Sequence, residues 1–179
     1  MDGERELQKA YESILGSDFE KAIEWFEKAI ALEPDYADYH YKLSITYARS
    51  NKLEKALNRA KHAVRLEPDN ESYRFHLQYL YAREKVQQAE KLLNPINERL
   101  DMAIALLKEA IILDPLAIEA YLILGAAYAS RQEYHQALSA VNEVLRLDPL
   151  HEIASQQITE YKHQLMLQDN IQANSYDQK

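Results

Sequence analysis

Residues 37–70, ADYHYKLSITYARSNKLEKALNRAKHAVRLEPDN, align without a gap on residues 118–151, IEAYLILGAAYASRQEYHQALSAVNEVLRLDPLH. Leu43, Ser44 and Tyr47 fall opposite Leu124, Gly125 and Tyr128. Farther on, Ala56, Ala60 and Ala63 fall opposite Ala137, Val141 and Val144. Steps of four and then three put this second set on one face of a helix. Each stretch therefore reads as a pair of helices. The small residue beside Leu and before Tyr lets the two helices approach closely, and the acidic residue plus Pro ends the second because proline cannot continue it.

The same ending recurs in ALEPDYADY, RLEPDNESY, ILDPLAIEA and RLDPLHEIA, which place Pro34, Pro68, Pro115 and Pro149 at separations of 34, 47 and 34 residues. A fixed period of this length is the signature of a repeat architecture. The 34-residue period, the Leu-small-x-x-Tyr pattern, the spaced alanines and the closing Pro together resemble the tetratricopeptide repeat family. The resemblance implies an all-α fold, a right-handed superhelical solenoid of antiparallel helix pairs. Four repeats are expected over about 3–36, 37–70, 71–117 and 118–151, the third carrying a 13-residue insertion at 85–97. In the first unit, Ala22, Phe26 and Ala29 fit the second helix, whereas ELQKAYESILGSDF reads in two registers two residues apart. After Pro149, Ala154, Ile158, Tyr161 and Leu165 share one face and predict a capping helix over 152–168, with a dimerisation face as the alternative. Residues 1–168 then form a single domain, and 169–179, lacking periodicity, a disordered tail.

Composition agrees with helix and narrows the chemistry. Among 179 residues there are three Gly and five Pro, too few for the turns of a sheet protein. There is no Cys, so no disulfide, thiol nucleophile or thiolate metal site. The net charge of −8 argues against nucleic acid and anionic lipid, which require clustered Lys and Arg. MDGERELQKA has no apolar signal core, and no apolar run reaches transmembrane length, so no membrane insertion and a cytoplasmic location are expected. His40, His62, His76, His135, His151 and His163 are scattered, with Glu160 and His163 alone sharing a face, so neither metal nor cofactor is expected. Gly3, Gly16 and Gly125 are isolated and form no phosphate loop. Trp25 reads as packing. No motif brings a Ser, a His and an acid together, so the chain is read as not an enzyme.

The resemblance implies a concave groove lined by the first helix of each repeat. Its positions here are Asp38, Tyr41, Ile45, Ala48 and Arg49, then Ser72, Phe75, Tyr79, Ala82 and Arg83, then Glu119, Leu122, Ala126, Ala129 and Ser130. Helical spacing independently gives Tyr41, Phe75 and Tyr79 a second apolar stripe, opposite the one formed by Leu43, Tyr47, Leu77 and Tyr81. That stripe is either covered by neighbouring helices or open to an apolar ligand. Some tetratricopeptide modules grip a C-terminal carboxylate with paired cationic and amide residues; the nearest positions here hold Leu7, Tyr11, Arg74 and Gln78, so that clamp is not expected.

From Glu71 to Leu93 there is neither Gly nor Pro, so the first helix of the third repeat is predicted to run on until Asn94 and Pro95. Phe75, Tyr79, Ala82, Val86, Ala89 and Leu93 step by three or four, which predicts that Val86, Ala89 and Leu93 raise one wall of the groove. The alternative is a lengthened hairpin packed on itself through Leu92, Ile96 and Leu100. Function is expected to be non-catalytic: an adaptor or assembly chaperone whose partner is a protein or peptide segment with apolar anchors, held by Tyr41, Ile45, Arg49, Phe75, Tyr79, Arg83 and Leu122. A self-associating scaffold, docking through Leu7, Tyr11 and Ile14 to give a homo-oligomer, is the rival. A photosystem-type assembly factor is a lesser one, suggested by a similarly lengthened third unit.

Overall fold

The computed structural model describes residues 3–93 and 99–176, with side chains through residue 171. The described residues form nine α-helices and no strand: α1 Glu4–Leu15, α2 Phe19–Leu32, α3 Ala37–Arg49, α4 Leu53–Leu66, α5 Glu71–Leu92, α6 Leu100–Leu113, α7 Ile118–Ser130, α8 Tyr134–Leu147 and α9 Glu152–Tyr176. They divide into two compact units, Met1–Tyr81 and Ala82–Lys179.

In the first unit α1, α2, α3 and α4 pack in consecutive order. The core holds Ala10, Phe26, Ala29, Leu43, Ala56 and Ala60, so alanines face one another where helices cross and bulkier side chains fill the spaces between. Each second helix ends at an acidic residue before Pro: the amides of Glu33, Glu67, Asp114 and Asp148 close the last turns on Ala29, Ala63, Ala110 and Val144. Within a pair, the turn contains one residue in the left-handed region, Ser17, Asn51 or Gln132. The next amide reaches back to the carbonyl of Ser13, Tyr47 or Tyr128 at 2.9, 2.9 and 3.0 Å. Ser17 precedes Asn51 by one 34-residue period, which fixes the register of the first repeat: Leu7 takes the place of Tyr41, Ala10 that of Ser44 and Tyr11 that of Ile45.

The long helix α5 explains the irregular spacing of the prolines. It has 22 residues where α3 and α7 have 13. Its first half belongs to the first unit: Leu80 lies in the core with Leu77 and Tyr81 against it, and Tyr73 packs with Ala37 and Ala63. From Ala82 onward it serves the second unit, where Ala82, Val86 and Ala89 pack with Ala103, Ile104 and Leu107 of α6. Val86, Ala89 and Leu93 repeat the spacing of Leu7, Ala10 and Ile14 in α1. Residues 82–92 thus do for α6 what α1 does for α2, and residues 71–81 close the first unit as α9 closes the second.

In the second unit α6, α7, α8 and α9 again pack in order. Gly125 allows α7 to approach α8, because a Cβ there would stand 2.6 Å from Val141 Cγ2. Ala154, Ile158 and Tyr161 of α9 pack with Ala137, Val141 and Val144. The helix runs on to Tyr176, however, so residues 169–176, expected in a tail, are helical. The stretch from Asp169 to Ser175 contains no Gly or Pro, and nothing in it stops a helix already nucleated on α8.

Candidate partner-binding surface

The aromatic stripe of the first unit is a connected row. The Tyr41 ring lies 4.7 Å from that of Tyr73 and meets His76 edge-on at 5.3 Å, and His76 stacks on Tyr79 at 6.3 Å. Tyr41 and Ile45 are half-buried, so neighbouring side chains partly cover them. Phe75 and Tyr79 stay 65% and 42% exposed. Exposed aromatics on the last helix of a unit are the feature that calls for a partner, because an isolated apolar side chain is ordinary and a run of them is not. Lys42 stands beside the row, with its ammonium 3.4 Å from Asp38 and 5.5 Å from the Tyr11 ring centre.

Beneath the row, the Ser44 hydroxyl donates to the Ala56 carbonyl at 2.8 Å and so accepts from His76 Nε2, 2.9 Å away. Burial lowers His76 to about 4, which keeps the ring neutral and part of the apolar surface. His40 is lowered too, mainly by burial and against the Pro34 carbonyl that its Nε2 approaches at 2.8 Å.

The other expected site residues are distributed differently. Arg49 is exposed but lies over the Phe19 ring of α2, 5.2 Å from its centre. Arg83, half-buried, belongs to the second unit, as does Leu122, which packs beside the core of Ala137 and Val141. Ala48 and Ala82 are buried rather than groove-lining. The expected insertion wall is corrected: Val86 and Ala89 are 3% and 0% exposed and Leu93 is half-buried against the same core. A partner cannot touch side chains that α6 already covers. Of the self-packed alternative, Leu92 and Leu100 do meet this core, while Ile96 lies outside the described residues. Trp25 packs on the core with Lys9 and Lys28 ammonium groups 4.2 and 4.0 Å from its ring centre.

The sequence does not disclose a pair of clefts at equivalent places in the two units, each between two second helices and over the Tyr that recurs in the first helix between them. The cleft of the first unit, about 390 Å³, is polar: Glu27, Glu54, Lys55 and Arg59 surround Tyr47. Tyr47 donates to Glu27 at 2.6 Å, and burial together with that carboxylate pushes its phenol up to about 12. The cleft of the second unit, about 470 Å³, is mostly apolar, with Ile111, Ile112, Tyr121 and Ala140 around Tyr128. Comparing residues 81 apart is the signal that finds it, since Glu27 becomes Lys108, Lys55 becomes Gln136 and Arg59 becomes Ala140.

Among the described residues no three His, Asp or Glu are grouped so as to hold a metal ion. No described helix is long and apolar enough to cross a membrane.

Residues 15–51 match a family model described as TPR repeat, and residues 97–152 one described as tetratricopeptide repeat. No curated protein matches the sequence. Among solved structures, the MamA protein is 21% identical, with 94% of this chain and 85% of that one covered at a TM-score of 0.54. A tetratricopeptide repeat protein from Parabacteroides merdae is 20% identical over 93% of this chain and 61% of its own, with a TM-score of 0.54. MamA from residue 41 to its end, from Desulfovibrio magneticus RS-1, is 15% identical over 93% and 97% of the two chains, at 0.51. At such identities the likeness is one of fold. Sequence patterns at both ends of the chain and the helix-by-helix architecture meet in one conclusion: this chain is a tetratricopeptide repeat protein.

Proposed function

We propose that the chain is a non-catalytic protein-interaction module, an adaptor or assembly chaperone that holds a partner segment along the face carrying Tyr41, Ile45, Phe75 and Tyr79. The observation that supports it is the exposure of Phe75 and of Tyr79, the latter at the end of a row of packed rings. Anchoring side chains of a partner would bury against these two rings, and His76, which stacks on Tyr79 and meets Tyr41 edge-on, backs the Tyr79 ring. Aromatic anchors of this kind dominate binding energy at protein interfaces. Arg49 extends the surface of the first unit in this reading, and Arg83 and Leu122 are further proposed contacts within the second. The segment carries apolar side chains and binds in the helix-in-groove or extended manner.

The test places a photo-reactive benzoylphenylalanine at position 79 and, as control, at Leu32, which is exposed on α2. The expected result is a cross-linked partner from position 79 alone. Equal cross-linking from both places the contact elsewhere. Sedimentation over a concentration range distinguishes the self-associating scaffold: on the present reading the chain sediments as a monomer.

A further inference from the structure

The polar cleft of the first unit shows what the apolar cleft of the second lacks. Around Tyr47 the phenol is answered within the chain: it donates to the Glu27 carboxylate at 2.6 Å, and the Lys55 ammonium stands 5.6 Å from the ring centre. At the same place in the second unit the carboxylate is replaced by Lys108, whose ammonium stands 5.7 Å from the Tyr128 ring centre. Among the described residues Lys108 meets no carboxylate, and the Tyr128 hydroxyl has no acceptor like Glu27. The acidic residue on the far side, Glu143, is already held by Arg146 at 2.7 Å. Beside this unanswered cation lie Ile111, Ile112, Tyr121 and Ala140.

We infer that this cleft is a docking site, separate from the aromatic row, for a segment of another protein that supplies the missing carboxylate and an adjoining aliphatic or aromatic side chain. The carboxylate pairs with Lys108 and accepts from Tyr128, as Glu27 does from Tyr47, and the apolar side chain lies over Ile111, Ile112 and Tyr121. A charge-assisted contact at one end and apolar burial at the other fix the direction of the segment. A fatty acid offers the same two groups, but the cleft is an open furrow and not an enclosed tunnel, so most of an acyl chain would stay wet. A peptide laid over the furrow covers it with its own backbone and flanking side chains.

To test this, random peptides of about twelve residues, displayed on phage, are selected on the full chain, and the enriched ones are titrated by fluorescence anisotropy. The variants are Lys108→Glu, Ile112→Glu and the pair Phe75→Ala, Tyr79→Ala. Ile112 is 79% exposed and Lys108 is at the surface, so both substitutions leave the core alone, and circular dichroism verifies it. The expected peptides carry Asp or Glu within about four residues of an aliphatic or aromatic side chain, one turn of helix. Lys108→Glu and Ile112→Glu each weaken them at least about tenfold, the first is rescued by changing the peptide acid to Lys, and the Phe75, Tyr79 pair binds within about twofold of the native chain. Selection that yields no such peptides, or peptides bound equally by Lys108→Glu, overturns the inference. Peptides lost only in the Phe75, Tyr79 pair overturn it also, and support the aromatic face instead. Self-association abolished by Lys108→Glu assigns the cleft to a second copy and likewise overturns the foreign segment.

Discussion

Gly125→Ala, alone and with Val141→Ala, probes the helix contact on which the repeat pattern rests. The new Cβ would stand 2.6 Å from Val141 Cγ2 and 3.4 Å from the Ala137 carbonyl oxygen. Carbon pairs rest at about 3.5–4.0 Å, so one of the two helices, or the valine, must give by about 1 Å. The substitution gains about 1 kcal/mol of helix propensity and costs about 1–3 kcal/mol by overpacking, which leaves a loss of about 1 kcal/mol. Val141 is fully buried, so Val141→Ala alone leaves a hole and costs about 2 kcal/mol. The first unit already contains the relaxed version of this contact: Ser44 stands at the place of Gly125, and Ala60 at that of Val141. In the double variant the new methyl enters the space that Val141 vacates. The pair should therefore be more stable than the sum of the single losses by at least about 1 kcal/mol. Urea unfolding followed by circular dichroism at 222 nm measures all four proteins. Strictly additive losses would refute the claim that these two side chains compete for one space.

His76 predicts a pH dependence. Because burial lowers its folded value to about 4 while the unfolded ring titrates near 6.5, the unfolded chain takes up a proton first; stability is full above 6.5 and falls as pH drops from 6.5 to 4. Allowing for the exposed part of the ring, the loss is about 2 kcal/mol, and urea midpoints at either end of this window should differ less in His76→Gln than in the native chain. Gln132 holds a left-handed backbone, φ 60°, that Gly adopts without strain, so Gln132→Gly should raise stability by about 0.5 kcal/mol, read as a higher melting temperature. Deleting residues 85–97 removes Val86 and Ala89 from beneath α6 and should abolish cooperative unfolding of the second unit; a deletion protein with native melting behaviour would restore the idea of a dispensable wall.

Pro34, Pro68, Pro115 and Pro149 made the repeat legible because helix ends are local: an acidic residue and a proline stop a helix in any surroundings. Ala56, Ala60 and Ala63 made the packed faces legible for the same reason. Who covers a face is a different matter. Phe75, Tyr79, Ala82, Val86, Ala89 and Leu93 form one unbroken stripe in sequence, yet α6 buries the part from Ala82 onward and leaves Phe75 and Tyr79 outside. Periodicity reports that a face is apolar and carries no information on its neighbour. The register of α1 was ambiguous because Leu7, Ala10 and Tyr11 suit either reading, and the left-handed Ser17 decides it. The cleft over Tyr128 is not legible in the sequence, because its residues come from three helices and its charge stands out only beside Glu27.

Phe75 and Tyr79 are the residues proposed to carry partner binding. The direct measurement is calorimetric titration of the partner cross-linked from position 79 against the native chain and against Phe75→Ala, Tyr79→Ala. At about 2 kcal/mol for each anchor, the pair should weaken binding by about a thousandfold with helicity unchanged. A dissociation constant within about threefold of the native value, in a variant with the native circular dichroism spectrum, would contradict the account.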